Sequence, residues 1–184
     1  VGDVDLSAGR SLGFFKDWIE HPTYDDYWNA IDVEDKWDEI DVPAFSMGGW
    51  FDLYSADAFT NFNGIRKNGR TPEARQSRLI VGPWPHALST SSKTGDVDFG
   101  AGSLADLDGE ETRWFDYWLK GIDNGIVDEP PLRLFIMGIN EWRDEHEWPL
   151  ARTEWQRWNL HSDGDANSVR GGGRLSIEAP ADEQ

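Results

Sequence analysis

The sequence predicts an α/β fold built on a parallel sheet, with β structure of a second kind towards its end. Residues 42–52 and 77–86 are short apolar runs that stop at glycine and then deliver one titratable side chain each, Asp52 and His86. Apolar runs of strand length without polar alternation are the pattern of strands buried on both faces. The segment between them carries Phe59, Phe62 and Ile65 at helical spacing. A strand, helix, strand order makes the sheet parallel at that point. Beyond residue 130 the period changes to two, the signature of antiparallel strands.

Taken in order, residues 1–13 are rich in Gly, Ser and Asp and read as a loop. Phe14, Phe15, Trp18 and Ile19 then fall on one helical face, and Pro22 ends that helix because the residue before proline is driven out of the α region. Residues 24–37, acidic and aromatic, are predicted to be helical and to pack through Tyr27, Trp28, Ile31 and Trp37. The first strand is expected at 44–47. Ser55 is placed to cap the helix that follows, residues 67–70 close it, and the second strand runs over 79–81. Residues 87–109 form a long polar loop, of a length that is functional or mobile in compact domains. A helix over 109–120 has Asp108 and Glu111 in capping-box positions, Trp114, Phe115, Trp118 and Leu119 on one face, and Gly121 as its stop. After a linker at 124–131, the alternation of Leu132, Leu134 and Ile136, then of Trp158 to Leu160 and of Leu175 to Ile177, places a separate β domain from about residue 130.

The 184 residues suffice for one domain or for pieces of two. A start at Val and an end without a closing element are what a piece of a longer protein would show. Nothing at the N-terminus resembles a leader, and no apolar run approaches a membrane span. A net charge of −18 argues against a nucleic-acid partner, which needs a basic footprint. Only five of the 17 cations are Lys, which fits a salt-rich host or, equally, an ordinary acidic surface. Zero cysteines exclude disulfides and thiolate metal ligands. His21, His86, His146 and His161 include no His-x-x-x-His pair, so no metal site is expected, and no cofactor.

Catalytic groups of parallel sheets sit just past the carboxyl ends of the strands, and Asp52 and His86 both fall there. An Asp and a His so placed are the second and third members of a nucleophile, acid and base relay. The carboxylate fixes the imidazole tautomer, so that the other ring nitrogen can take a proton from a Ser hydroxyl. The order Ser, Asp, His is that of the α/β-hydrolase fold.

The motifs around these residues carry a resemblance. Gly48-Gly-Trp-Phe-Asp52 and Gly82-Pro-Trp-Pro-His86 resemble the Gly-Gly-Trp-Tyr-Asp and Gly-Pro-Trp-x-His signatures of the cocaine esterase-like (CocE/NonD) hydrolases, relatives of the X-Pro dipeptidyl peptidases. The similarity extends to residues 21–28, 97–100, 114–121 and 134–143. It implies an α/β-hydrolase domain, a helical cap and a C-terminal jelly roll. Residues 1–28 would be the tail of the cap, 29–125 the second half of the catalytic domain, and 130–184 a partial β-sandwich of jelly-roll type. Asp52 carries over as the triad acid and His86 as the general base. Tyr54 falls where the cocaine esterase-like members place an aromatic wall of the acyl pocket, although an aromatic beside a strand end also serves simple packing.

The family's nucleophile lies on a Gly-x-Ser-Tyr-x-Gly elbow. Gly9-Arg-Ser11-Leu-Gly13 matches Gly-x-Ser-x-Gly, but only residues 4–6 could form the preceding strand and Leu12 replaces the family's Tyr, so Ser11 reads as a decoy. The expected nucleophile and oxyanion donors lie upstream, and each missing donor costs about 3 to 4 kcal/mol of transition-state stabilisation, so the chain alone is expected to be inactive. The resemblance implies a small-molecule ester or amide as substrate, with no nucleic-acid or membrane partner. Relatives acting on α-amino acid esters carry carboxylates just after the triad Asp, whereas Leu53, Tyr54 and Ser55 stand here, which favours an uncharged acyl group. X-Pro dipeptidyl-peptidase activity is one alternative. A carbohydrate-binding protein is another, given 11 Trp and a β domain, although most of these Trp stand at core spacing.

Overall fold

The structure is a computed structural model that describes residues 5–7, 10–11, 13–34, 36–88, 91–162, 164–169 and 171–179. The chain divides into two compact units, Val1–Trp148 and Pro149–Gln184.

The first unit opens with a small antiparallel ribbon, β1 (Asp5–Ser7) and β2 (Arg10–Ser11), followed by α1 (Gly13–Glu20) and α2 (Asp26–Ile31). Helix α1 stops just before His21-Pro22, as the proline requires. Its apolar face is not buried within the described residues: Phe14, Trp18 and Ile19 are all exposed. The second predicted helix is only six residues long, and Trp37 lies instead in a 3₁₀ turn, Trp37–Glu39. Asp25 accounts for the start of α2, since its side chain accepts the Tyr27 N–H.

The core is a four-stranded sheet. Strand β3 (Phe45–Gly49), helix α3 (Ser55–Asn68) and β4 (Arg78–Gly82) form the expected βαβ crossover, with Met47 paired to Ile80 and Gly49 to Gly82 in parallel register. Phe59, Phe62 and Ile65 of α3 are buried as the spacing predicts, each side chain contributing about 1.5 to 3 kcal/mol by leaving water. Ser55 is the first helical residue rather than the cap; the cap position is Tyr54, and no side chain bonds there. All of β4 is buried. The buried Arg78 is neutralised by Glu129, 3.1 Å away, and donates to the Ile126 carbonyl.

The long polar loop contains a short hairpin, β5 (Lys93–Thr94) with β6 (Val97–Asp98), and is tethered by Thr94 Oγ1 donating to the Pro83 carbonyl at 2.7 Å. Helix α4 (Leu107–Lys120) begins two residues earlier than its pattern suggests. Asp106, not Asp108, is its cap, accepting from Gly109 N–H at 3.0 Å. Trp114 of the predicted apolar face is buried, whereas Phe115 and Leu119 are exposed. Gly121 ends the helix at φ 69°, a conformation that favours glycine.

The four-stranded sheet extends past the expected linker at 124–131. Strand β7 (Leu132–Ile136) pairs in parallel with β4, and β8 (Glu141–Glu145) pairs antiparallel with β7, giving the order β3-β4-β7-β8. The period-two reading finds β7 but neither its antiparallel partner β8 nor the parallel partner on the other edge. The sheet thus continues through residue 145, and the first unit ends at Trp148. In the second unit, β9 (Asn159–His161) and β10 (Arg174–Ser176) form an antiparallel pair. No described helix is long and apolar enough to cross a membrane.

Candidate active site

Both halves of the site are built by close backbone approach at the carboxyl ends of β3 and β4. A Cβ on Gly49 would stand 2.0 Å from the Trp84 carbonyl oxygen, and one on Gly82 would stand 2.1 Å from the Trp84 ring. Glycine at both positions lets the indole of Trp84, 1 % exposed, pack flat into the end of the sheet. The ladder then continues into the loops: Trp50 N–H donates to Gly82 O at 2.9 Å, and Phe51 N–H to Trp84 O at 3.3 Å. Asp52 and His86 follow one and two residues later, on chains already fixed side by side.

The structure brings these two together across 34 positions of sequence. His86 Nδ1 lies 3.0 Å from Asp52 Oδ2. An ionised carboxylate only accepts, so Nδ1 carries the hydrogen and Nε2 is left to exchange a proton. The other carboxylate oxygen, Oδ1, accepts the Tyr54 N–H at 3.0 Å. The Tyr54 N–H, and after it the His86 ring, hold the Asp52 carboxyl below its ordinary pKa against the upward push of desolvation. The Asp52 side chain is 6 % exposed and that of His86 72 %. One end of the pair is sheltered and the other faces solvent.

Tyr54 packs edge-on to the His86 ring, with 5.6 Å between centroids. A cleft of about 390 Å³ opens beside the pair, bounded by Met47, Asp52, Tyr54, Asp57, Asn61 and His86. Asp57 and Asn61 escape a sequence reading centred on the motifs. Their only signal is spacing, three and seven residues beyond Tyr54 on one face of α3.

The remaining histidines lie elsewhere. His21 Nδ1 is 2.6 Å from Asp25 Oδ2, a local pair at the start of α2. His146 is exposed, and His161 Nε2 lies 3.0 Å from the Glu178 carbonyl oxygen in the second unit. Among the described residues no three His, Cys, Asp or Glu side chains form a metal-binding group. Ser11 lies in the β1–β2 ribbon; its side chain is outside the described residues.

The chain is similar to several known proteins. Residues 4–88 match the family model described as X-Pro dipeptidyl-peptidase (S15 family). The chain is 33 % identical over 161 residues to the cocaine esterase of Rhodococcus sp. (strain MB1 Bresler), a match covering 86 % of this chain. It belongs to the CocE/NonD family, related to the X-Pro dipeptidyl peptidases. The chain spans 27 % of the length of that esterase. Two solved structures share the fold. An aminopeptidase from the marine sediment archaeon Thaumarchaeota archaeon matches at a TM-score of 0.67 and 23 % identity, over 95 % of this chain and 27 % of its own. A CocE/NonD family hydrolase from Staphylococcus aureus matches at 0.55 and 20 %, over 83 % of this chain and 25 % of its own. The residues matched by the X-Pro dipeptidyl-peptidase (S15 family) model include Asp52 and His86.

Proposed function

We propose that this CocE/NonD chain is part of a serine hydrolase that cleaves carboxylic esters or amides by acyl transfer, with His86 as general base and Asp52 as the acid that orients it. The observation that carries the reading is the 3.0 Å contact between His86 Nδ1 and a sheltered Asp52 at the carboxyl ends of adjacent parallel strands. In the mechanism, His86 Nε2 takes the proton of a Ser hydroxyl as that oxygen attacks the substrate carbonyl. The leaving alcohol or amine receives the proton back. Water activated by the same nitrogen then releases the acid and regenerates the Ser. Throughout, Asp52 stays ionised and stabilises the imidazolium.

Tyr54 is proposed as one wall of the acyl pocket, since its ring is exposed and borders the cleft beside His86. By family resemblance the nucleophile is supplied from a Gly-x-Ser-Tyr-x-Gly elbow, residues 1–28 correspond to the end of a helical cap, and residues 130–184 open a jelly roll. The first unit then carries the second half of the α/β-hydrolase domain. Of the Trp in residues 130–184 that a carbohydrate-binding role would use, Trp155 and Trp158 are exposed, whereas Trp142 and Trp148 are engaged within the first unit. Trp142 donates its indole N–H to Gly102 O at 2.9 Å, and Trp148 stacks on Phe59 at 4.3 Å.

The test compares p-nitrophenyl ester hydrolysis by the 184-residue chain with that by a longer polypeptide joining it to such an elbow. The chain alone is expected to show no His86-dependent turnover, and the longer form to lose activity on His86→Ala. Turnover by the isolated chain that depends on His86, or activity of the longer form that ignores the substitution, would overturn the proposal.

A further inference from the structure

We infer that Trp50 is a positioning residue for the Asp52–His86 pair, acting as a strap that ties the Asp52 turn to β7. The inference rests on the reading of that pair as acid and base, and it adds a third strand on which the pair depends.

Trp50 follows β3 directly and stands two residues before Asp52. Its backbone N–H donates to Gly82 O at 2.9 Å, beyond the last paired residues of β3 and β4. Its indole N–H donates to Phe135 O at 2.8 Å, a residue 85 positions away. Because the sheet order is β3-β4-β7, that bond reaches over the end of β4. The ring is seated between α3 and the end of the first unit, stacked on Phe59 at 5.5 Å and tilted against Trp148 at 6.1 Å. The next turn of chain closes when Asp52 N–H donates back to Gly49 O at 3.0 Å. The turn bearing the carboxylate is therefore fixed at three points, to its own strand, to β4 and to β7.

Packing alone would be met by any large aromatic ring in this place. An indole N–H committed to a main-chain carbonyl two strands away fixes direction as well, and small misplacements of a catalytic group are costly. Trp50 makes no described hydrogen bond or ring contact with Asp52 or His86, so its effect reaches them through the turn. The strap also makes residues 132–136, whose pattern suggests a separate domain, part of the frame of the site.

The test reads the imidazole directly. In the ¹⁵N-labelled 184-residue chain, well above the pH at which imidazoles protonate, nitrogen chemical shifts give the ratio of the Nδ1–H to the Nε2–H tautomer of His86. The other titratable side chains lining the cleft are Asp52, Tyr54 and Asp57, and the same pH is kept for every variant. Asp52→Asn is expected to lower the ratio by about tenfold or more, since a charge-assisted bond is lost and an amide can favour the wrong tautomer. Trp50→Phe, which keeps a ring and removes the N–H, is expected to lower it about threefold. Trp148→Phe alters the same aromatic cluster without touching that bond and is expected to leave the ratio unchanged. An unchanged ratio in Asp52→Asn would end the acid–base reading itself. A drop in Asp52→Asn without one in Trp50→Phe, or equal drops in Trp50→Phe and Trp148→Phe, would overturn the strap alone. Should Trp50→Phe fail to fold, indole N–H exchange in the unsubstituted chain decides: slower exchange at Trp50 than at the exposed Trp155 supports the strap, and equal exchange overturns it.

Discussion

Among the described residues of the first unit, two Asp–His pairs use the same local device. Asp52 Oδ2 faces His86 Nδ1 at 3.0 Å while Oδ1 accepts the N–H two residues on; Asp25 Oδ2 faces His21 Nδ1 at 2.6 Å while Oδ1 accepts the N–H two residues on. Both carboxyls are held below their ordinary pKa, Asp52 chiefly by the Tyr54 N–H and Asp25 chiefly by His21. Their surroundings differ. His21 and Asp25 are four residues apart, similarly exposed, and the His21 ring lies stacked on Tyr27 at 4.5 Å, so the pair serves to start α2. Asp52 is sheltered and His86 opens beside a cleft at the ends of two parallel strands. A carboxylate touching an imidazole is therefore no signature of catalysis by itself. What separates the Asp52–His86 pair is that elements distant in sequence hold it and that its carboxylate is sheltered.

The widest separation between the two pairs should appear in turnover. In an active polypeptide containing this chain, His86→Ala is expected to lower ester hydrolysis by about 10⁴-fold, whereas His21→Ala changes it by less than about tenfold. Equal losses in the two assays would erase the distinction. Next comes the backbone that places each pair. Gly49→Ala and Gly82→Ala force a Cβ against Trp84 and should each cost about 3 kcal/mol in urea unfolding. Gly13→Ala, where a Cβ meets nothing within 4 Å at the start of the helix before His21, should cost nothing measurable. Smaller again, Asp25→Ala removes the cap of α2 and should lower stability by about 1 kcal/mol in the same assay.

The finest difference lies in the acid response. Carboxyls whose folded pKa is depressed stabilise the fold above the unfolded value, near 4, and lose that contribution as pH falls through the folded value. Asp25 and Asp52 belong to this class. So does Glu129, where burial raises the pKa but the Arg113 hydrogen bond and the charges of Arg78 and Arg113 outweigh it. The melting temperature should fall on acidification from about pH 6 to about pH 2, and Asp25→Asn should flatten that fall. A fall as steep as in the unsubstituted chain would show that the His21 pair leaves the acid response untouched.

Much of the fold was legible because it rests on local periodicity. The α3 crossover, the end of α1 at Pro22 and the stop at Gly121 follow from steric rules acting over a few residues. The cap of α4 was misplaced because Asp106 and Asp108 satisfy the same local rule and only tertiary geometry selects between them, whereas α3 starts at Ser55 with no side-chain cap at all. The pairing of β7 with β4 was not legible for a related reason. Alternation in 132–136 reports on the β8 side, while the parallel bond to β4 is a long-range pairing that leaves no period of its own. Asp57 and Asn61 were missed because a polar residue on a helix near a strand end looks like any solvated position until the cleft is present.

The sequence by itself determined which two side chains to watch. Gly-Gly-Trp-Phe-Asp and Gly-Pro-Trp-Pro-His each follow an apolar run of strand length, and their glycines leave room for a close approach. Only the tertiary structure decided that Asp52 is sheltered while His86 is open, that Trp84 fills the space the glycines leave, and that Trp50 reaches to β7. Those facts depend on separations of 34 and 85 residues, and at such distances the chain's local preferences carry no information about which groups will meet.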